Sequence, residues 1–196
     1  MYGENINGVA KPPLIDRERK SVVLSSFADA VREGNCYSGA NQAGVVFTVE
    51  LSTTYTGLCV YNPVLSGKVL RILAAGYSEI KVPANEITDY WIGTGYHAST
   101  AAVETSTITS TNLKAGGEAG VAVVLDSTEL PAAPVYNFPI MTGKTTNALS
   151  VAAAPGLVRI DGLVALPPGA YAAIICFTIG VAGGGKGALL WQELDA

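Results

Sequence analysis

From Gly44 to the C-terminus, short apolar runs alternate with clusters of Gly, Pro, Asn and Ser, and the spacing inside the runs is two. Period two marks half-buried strands, because successive strand side chains point to opposite faces. Val45, Phe47, Val49 and Leu51 share one face, and Val46, Thr48 and Glu50 share the other. Further runs occupy 58–61, 69–77, 87–96, 120–125, 147–151, 157–160, 163–166, 170–179 and 188–194. In the 69–77 run, Leu70, Ile72 and Ala74 lie opposite Arg71. Asn62-Pro63, Ser66-Gly67, Gly116-Gly117 and Asp126-Ser127 read as turns. The small-residue stretch 98–111 reads either as another strand or as a long surface loop. With 22 Gly and 10 Pro punctuating the runs, the chain is predicted to be all-β, a sandwich or a barrel. No fixed-period repeat supports a solenoid or propeller.

The first 35 residues differ. They hold 10 of the 28 charged side chains, whereas the other 161 residues hold 18. Pro12-Pro13 disfavours helix around it, so residues 1–20 are expected to be extended. Residues 21–33 hold the only helical candidate, with Ser25 or Ser26 as cap, Phe27 and Val31 four apart and Gly34 as stop. The expected organisation is an N-terminal arm with a short helix over 1–35 and a β-sandwich domain over 36–196.

Composition narrows function. With 12 Lys+Arg against 16 Asp+Glu, no basic excess exists to displace counterions from phosphates, so a nucleic-acid partner is not expected. At 14% charged residues the chain is too apolar for disorder, and a charge-poor soluble body is expected to cover part of its surface with other subunits. The uncharged stretch 162–185 is interrupted by Pro167-Pro168-Gly169 and Gly183-Gly184-Gly185, too soon for a membrane span of about 20 residues. The N-terminus lacks the basic and apolar regions of a secretory signal, and no Asn-x-Ser/Thr occurs. Cys36, Cys59 and Cys176 are odd in number and widely spaced, so no disulfide framework is implied; Cys59 and Cys176 read as buried small hydrophobes.

Catalytic patterns are sparse. The single histidine, His97, has no nucleophile signature or orienting acid near it, and no His/Cys spacing fits a metal site. Gly180 to Gly187 matches GxxxxGK but ends in Gly where a phosphate loop needs Ser or Thr, and it leads into a strand-like run. Phe138 to Thr145 has Gly-Lys-Thr without the first Gly. Both read as turns. Glu86 and Asp89, three apart beside Trp91, would point to opposite strand faces, and Asp126 to Glu129 reads as a polar turn. Catalytic, cofactor and metal residues are therefore expected to be absent, and no enzyme is expected. Tyr90, Trp91 and Tyr96 remain as interface or core aromatics, with a glycan site as the other use.

Two segments carry a resemblance. Tyr61-Asn62-Pro63-Val64-Leu65-Ser66-Gly67-Lys68-Val69-Leu70-Arg71-Ile72 resembles a segment of small β-sandwich virion proteins of tailed bacteriophages. Leu166-Pro167-Pro168-Gly169-Ala170, a long apolar run, a Gly loop and Leu190-Trp191-Gln192-Glu193-Leu194 resemble their C-terminal ending, with Gln192 in place of the first acidic residue. The likeness covers roughly 44–80 and 157–196. It implies a jelly-roll-like antiparallel sandwich that forms a homo-oligomer, a trimer above others, on a virion assembled in the host cytoplasm. The leading expectation is a capsid decoration or cement protein bound to the major capsid protein, with Pro12, Pro13, Arg17, Arg19 and Lys20 in the partner-binding arm. The alternatives are a neck, tail or fibre-base component and a carbohydrate- or receptor-binding module.

Overall fold

The computed structural model describes residues 3–4, 10–11, 14–15, 21–22, 26–41, 45–46, 54–81, 87–96, 108–129, 133–144, 156–178 and 184–196. In the N-terminal region β1 (Gly3–Glu4) pairs with β2 (Ala10–Lys11), and β3 (Leu14–Ile15) with β4 (Ser21–Val22). Helix α1 (Ser26–Glu33) follows, starting at one of the two serines expected to cap it. It ends in a Schellman motif. Gly34 has φ 82°, its N–H donates to Val31 O, and Asn35 N–H donates to Ala30 O. Glycine reaches this left-handed conformation without a Cβ penalty, which explains the stop.

The remaining strands are β5 (Cys36–Ala40), β6 (Val45–Val46), β7 (Thr54–Tyr61), β8 (Lys68–Lys81), β9 (Ile87–Tyr96), β10 (Thr111–Asn112), β11 (Val123–Glu129), β12 (Val135–Lys144), β13 (Gly156–Leu166), β14 (Ala170–Thr178) and β15 (Gly184–Asp195). One sheet runs β10-β5-β15-β8-β13 with β6 also on β15, and the other runs β11-β7-β14-β9-β12. Antiparallel pairs nest: β9 with β12 innermost, then β8 with β13, β7 with β14, and β5 with β15 outermost. A long hairpin rolled in this way is a jelly roll. β10 and β11, from the connection between β9 and β12, widen the two sheets.

The core lies between the sheets, built on Leu58, Val60, Leu70, Ile72, Tyr90, Ile92, Val124, Ile174, Leu189 and Trp191, all buried. The register departs from simple alternation at several points, one of them in β8. Leu190 pairs with Ala74 and Trp191 with Ile72, so Leu73 is an extra residue in β8. That bulge hands the inward positions from Leu70 and Ile72 to Ala75 and Tyr77, and moves Ala74 off the face it shares with them in a strict period of two.

Several expected turns lie inside strands. Residues 157–160 and 163–166 are one strand, β13, carrying a four-residue bulge between Arg159 and Val164. Asp161 (φ 51°) and Gly162 (φ 79°) turn the chain out and back without ending the ladder, so Asp-Gly here makes a bulge. Asp126 to Glu129 belongs to β11, Phe138 to Lys144 to β12, and Gly184 to Gly187 to β15. Glycine in these strands makes room for packing. A Cβ on Gly187 would stand 2.6 Å from Ile174, and one on Gly39 would stand 2.8 Å from Val124. On the outer face of the five-stranded sheet the Tyr171 ring covers Gly95, its cross-strand neighbour; a Cβ there would sit on the phenol. Gly95→Val is therefore expected to lose about 2–3 kcal/mol of stability in urea unfolding, by the overpacking mechanism. The expected runs at 47–51 and 147–151, and residues 98–107 of the stretch 98–111, lie outside the described residues.

Candidate functional site

The three candidate aromatics are all on β9, and alternation separates them. Tyr90 is fully buried in the core, its ring stacked on Tyr77 with centroids 3.6 Å apart. Trp91 points to the opposite face and is half-buried, while Tyr96, at the strand end, is 60% exposed. They form no continuous strip. Pro12, Pro13, Arg17, Arg19, Lys20, His97, Glu86 and the side chain of Cys176 lie outside the described residues.

Two segments about a hundred residues apart, 61–72 and 166–170, meet at one corner. Asn62, fully buried, closes it. Its Nδ2 donates to Lys68 O (2.7 Å) and Leu166 O (2.9 Å), and its Oδ1 accepts from Ser66 Oγ (2.6 Å). Its backbone N–H donates to Ala170 O, and its carbonyl accepts from Gly169 N–H. The Asn-Pro turn between β7 and β8 is thus bonded to the Pro-Pro-Gly turn between β13 and β14. The corner holds Leu65 at its tip, 89% exposed.

The C-terminal segment is tied down by a second polar knot. Glu193, buried on β15, accepts hydrogen bonds from Val121 N–H, Ala122 N–H and Trp191 Nε1. This carboxylate fixes the loop that precedes β11 against the sheet. Asn112 secures the start of the same loop by donating to Gly34 O and Glu118 O. Trp191 itself stacks on Tyr37 at 6.2 Å. Gln192, on the outer side of the strand, is buried opposite Arg71 and Cys36, and its Nε2 has no hydrogen-bond partner. Gln192 is thus in register with Arg71 of β8 at the position where the sequence reading noted a departure from an acidic residue.

The outer face of the six-stranded sheet is built from small and aliphatic residues in register. One row across β5, β15, β8 and β13 is Ala40, Ala188, Gly76 and Leu157; the next is Ser38, Leu190, Ala74 and Arg159. Leu157 and Leu163 are 64% and 75% exposed. The Arg159 guanidinium pairs with Asp161 at 2.9 Å. By contrast, Tyr171, Ala173 and Ile175 on the outer face of the other sheet are buried with Cys59, Tyr61 and Leu125. Sequence reasoning missed the exposed face because it read Asp161-Gly162 as the boundary between two runs. Leu157 and Arg159 follow the strand's alternation, whereas Asp161 and Leu163 lie in the bulge.

Among the described residues no three His, Cys, Asp or Glu side chains group to hold a metal ion, and no helix is long and apolar enough to cross a membrane. Cys36 and Cys59 are free and buried. Burial pushes the Cys36 thiol from 9.0 to about 11 and the Cys59 thiol to about 12, and Tyr171 from 10.0 to about 12. These groups stay neutral in the folded chain while their unfolded counterparts ionise. Their contribution to stability is thus complete below about pH 9 and is lost as pH rises toward 11–12. Urea unfolding is expected to show a falling free energy from pH 8.5 to 10.5, and Cys59→Ala is expected to flatten the fall; an unchanged slope contradicts it. Compared with family models, curated proteins and solved structures, the chain matches none.

Proposed function

We propose that the protein is a virion structural component, a decoration or cement protein whose β-sandwich self-associates and whose N-terminal arm binds the capsid lattice. The observation that carries this reading is the corner at Asn62. The two segments that resemble phage virion proteins are far apart in sequence, yet one buried side chain bonds both. Two motifs that share one hydrogen-bond unit support a common architecture better than two separate turn-and-strand patterns do. The outward Leu157 and Leu163 of β13, 64% and 75% exposed, add to it, since exposed apolar side chains on a sandwich suit contact with another protein. Many weak contacts repeated over a particle act together, so modest affinity per copy suffices.

Incubating the full chain with undecorated capsids and sedimenting them tests the reading. Binding at hundreds of copies per particle supports decoration; a dozen or fewer points to the neck or tail. Deleting residues 1–20 is expected to leave a folded protein that no longer sediments with capsids, and unchanged binding removes the role assigned to the arm.

A further inference from the structure

Two polar side chains, neighbours on the outer face of the six-stranded sheet, have hydrogens to donate and no acceptor for them. Leu70 and Ile72 are buried in the core, so alternation turns Arg71 of β8 outward, in register with Gln192 of β15 and Ala165 of β13. Gln192 is 2% exposed, and its Nε2 has no hydrogen-bond partner. Arg71 is half-buried, and among the described residues it forms no hydrogen bond or ion pair. The ions that flank it on β8 and β13 already serve others: Lys68 pairs with Asp195, and Arg159 with Asp161. We infer that Arg71, with Gln192 beside it, binds the carboxylate of an Asp or Glu side chain presented by a partner protein.

Packing, not an acceptor, holds this cation in place. A Cβ on Gly162 would stand 2.9 Å from both Nε and Nη2 of Arg71, so the guanidinium lies on the backbone of the β13 bulge, where a side chain would displace it. A guanidinium presents its N–H donors in a planar fork that fits a carboxylate through two parallel bonds. Register partners hold their Cβ atoms about 5 Å apart, so the Gln192 amide is within reach of an oxygen held by that fork. The carboxylate meets the half-exposed guanidinium first, and the amide turns to the same group. A buried donor left unmet costs free energy and calls for a reason in a native fold; an oxygen brought by a ligand supplies one. The charge balance selects the ligand. One cation and one neutral amide suit a singly charged carboxylate, whereas a phosphate dianion calls for a second cation, and Arg159 is held by Asp161. Ala165 and Leu163, both exposed on β13, suit an acidic side chain flanked by apolar ones. The site asks for the same group whatever particle or protein carries it, and so goes beyond the virion reading.

Nuclear magnetic resonance of the nitrogen-labelled full chain, titrated with acetyl-Leu-Glu-Leu-amide, tests the site. The side-chain signals of Arg71 Nε–H and Gln192 Nε2–H₂ are expected to shift together and to saturate with a dissociation constant in the millimolar range, as one charge-assisted contact allows. The neutral peptide acetyl-Leu-Gln-Leu-amide is expected to bind at least about tenfold more weakly. Arg71→Met keeps an unbranched stem over Gly162 without the charge, and is expected to abolish the response at Gln192. Gln192→Glu supplies the carboxylate from within the chain, opposite the guanidinium in register, and is expected to weaken the acidic peptide at least about tenfold. The two variants reach the same end by opposite changes, one removing the cation and the other occupying it, and circular dichroism checks that each is folded. A silent Arg71 and Gln192, an equal response to the two peptides, or undiminished binding by either folded variant overturns the inference. Inorganic phosphate that moves the same two signals at least as strongly as the acidic peptide overturns the assignment to a carboxylate.

Discussion

Glu193→Leu is expected to lower the free energy of unfolding by about 3–5 kcal/mol, a large share of the 5–15 kcal/mol typical of a domain. The Glu193 carboxylate is 6% exposed as a residue and accepts Val121 N–H at 3.0 Å, Ala122 N–H at 3.2 Å and Trp191 Nε1 at 3.2 Å. Leucine fills similar space but leaves these N–H donors without an acceptor, and each orphaned buried donor costs about 1–3 kcal/mol. The loop also cannot move away easily. A Cβ on Gly120 would stand 2.6 Å from Oε1, so backbone already touches the carboxylate. Glu193→Gln keeps one acceptor oxygen and turns an amide N–H₂ toward the remaining donors, for a loss of about 1–2 kcal/mol. Urea unfolding at 25 °C measures the series. A leucine variant within 1 kcal/mol of the parent contradicts the role given to the knot.

Glu193 also illustrates what a sequence does and does not disclose. The alternation of apolar residues announced the strands, since burying one face of each demands period two. Their nesting as a jelly roll follows from which strand lies beside which, and single residues do not encode that. Local irregularities were hidden for a related reason. Leu73 looks like any apolar strand residue until its neighbours in β13 and β15 both skip it. Gly187 read as part of a turn because the side chain that occupies its space, Ile174, comes from another strand. Tyr90 and Trp91 read as neighbours in sequence and face opposite sides of a sheet. Glu193 lies 72 positions from Val121 and 71 from Ala122, and no local pattern marks such a pair.

Asn62 gives the sharpest test of the corner that links the turn after β7 to the turn after β13. Asn62→Ala is expected to cost about 3 kcal/mol, from one buried and one partly buried carbonyl that lose their donor and one hydroxyl that loses its acceptor. The carbonyls of Lys68 and Leu166 lie 2.7 and 2.9 Å from Nδ2, and Ser66 Oγ lies 2.6 Å from Oδ1. Asn62→Asp separates shape from hydrogen-bond polarity. It retains the acceptor for Ser66 but turns an anionic oxygen toward two carbonyls in a site with no solvent access. At pH 7 it is expected to be at least as unstable as the alanine variant. Burial and the facing carbonyls raise the introduced carboxyl above the usual range, so its neutral form, which can donate to one carbonyl, is favoured in the folded chain. Stability of Asn62→Asp should therefore rise as pH falls from 7 to 5, whereas Asn62→Ala should show no matching gain. Ser66→Ala, which removes a single partly buried bond, is expected to lose about 1 kcal/mol. If the aspartate and alanine variants share one pH profile and match the parent within 1 kcal/mol, the corner is not held by Asn62. The shared hydrogen-bond unit that supports the virion reading then falls with it.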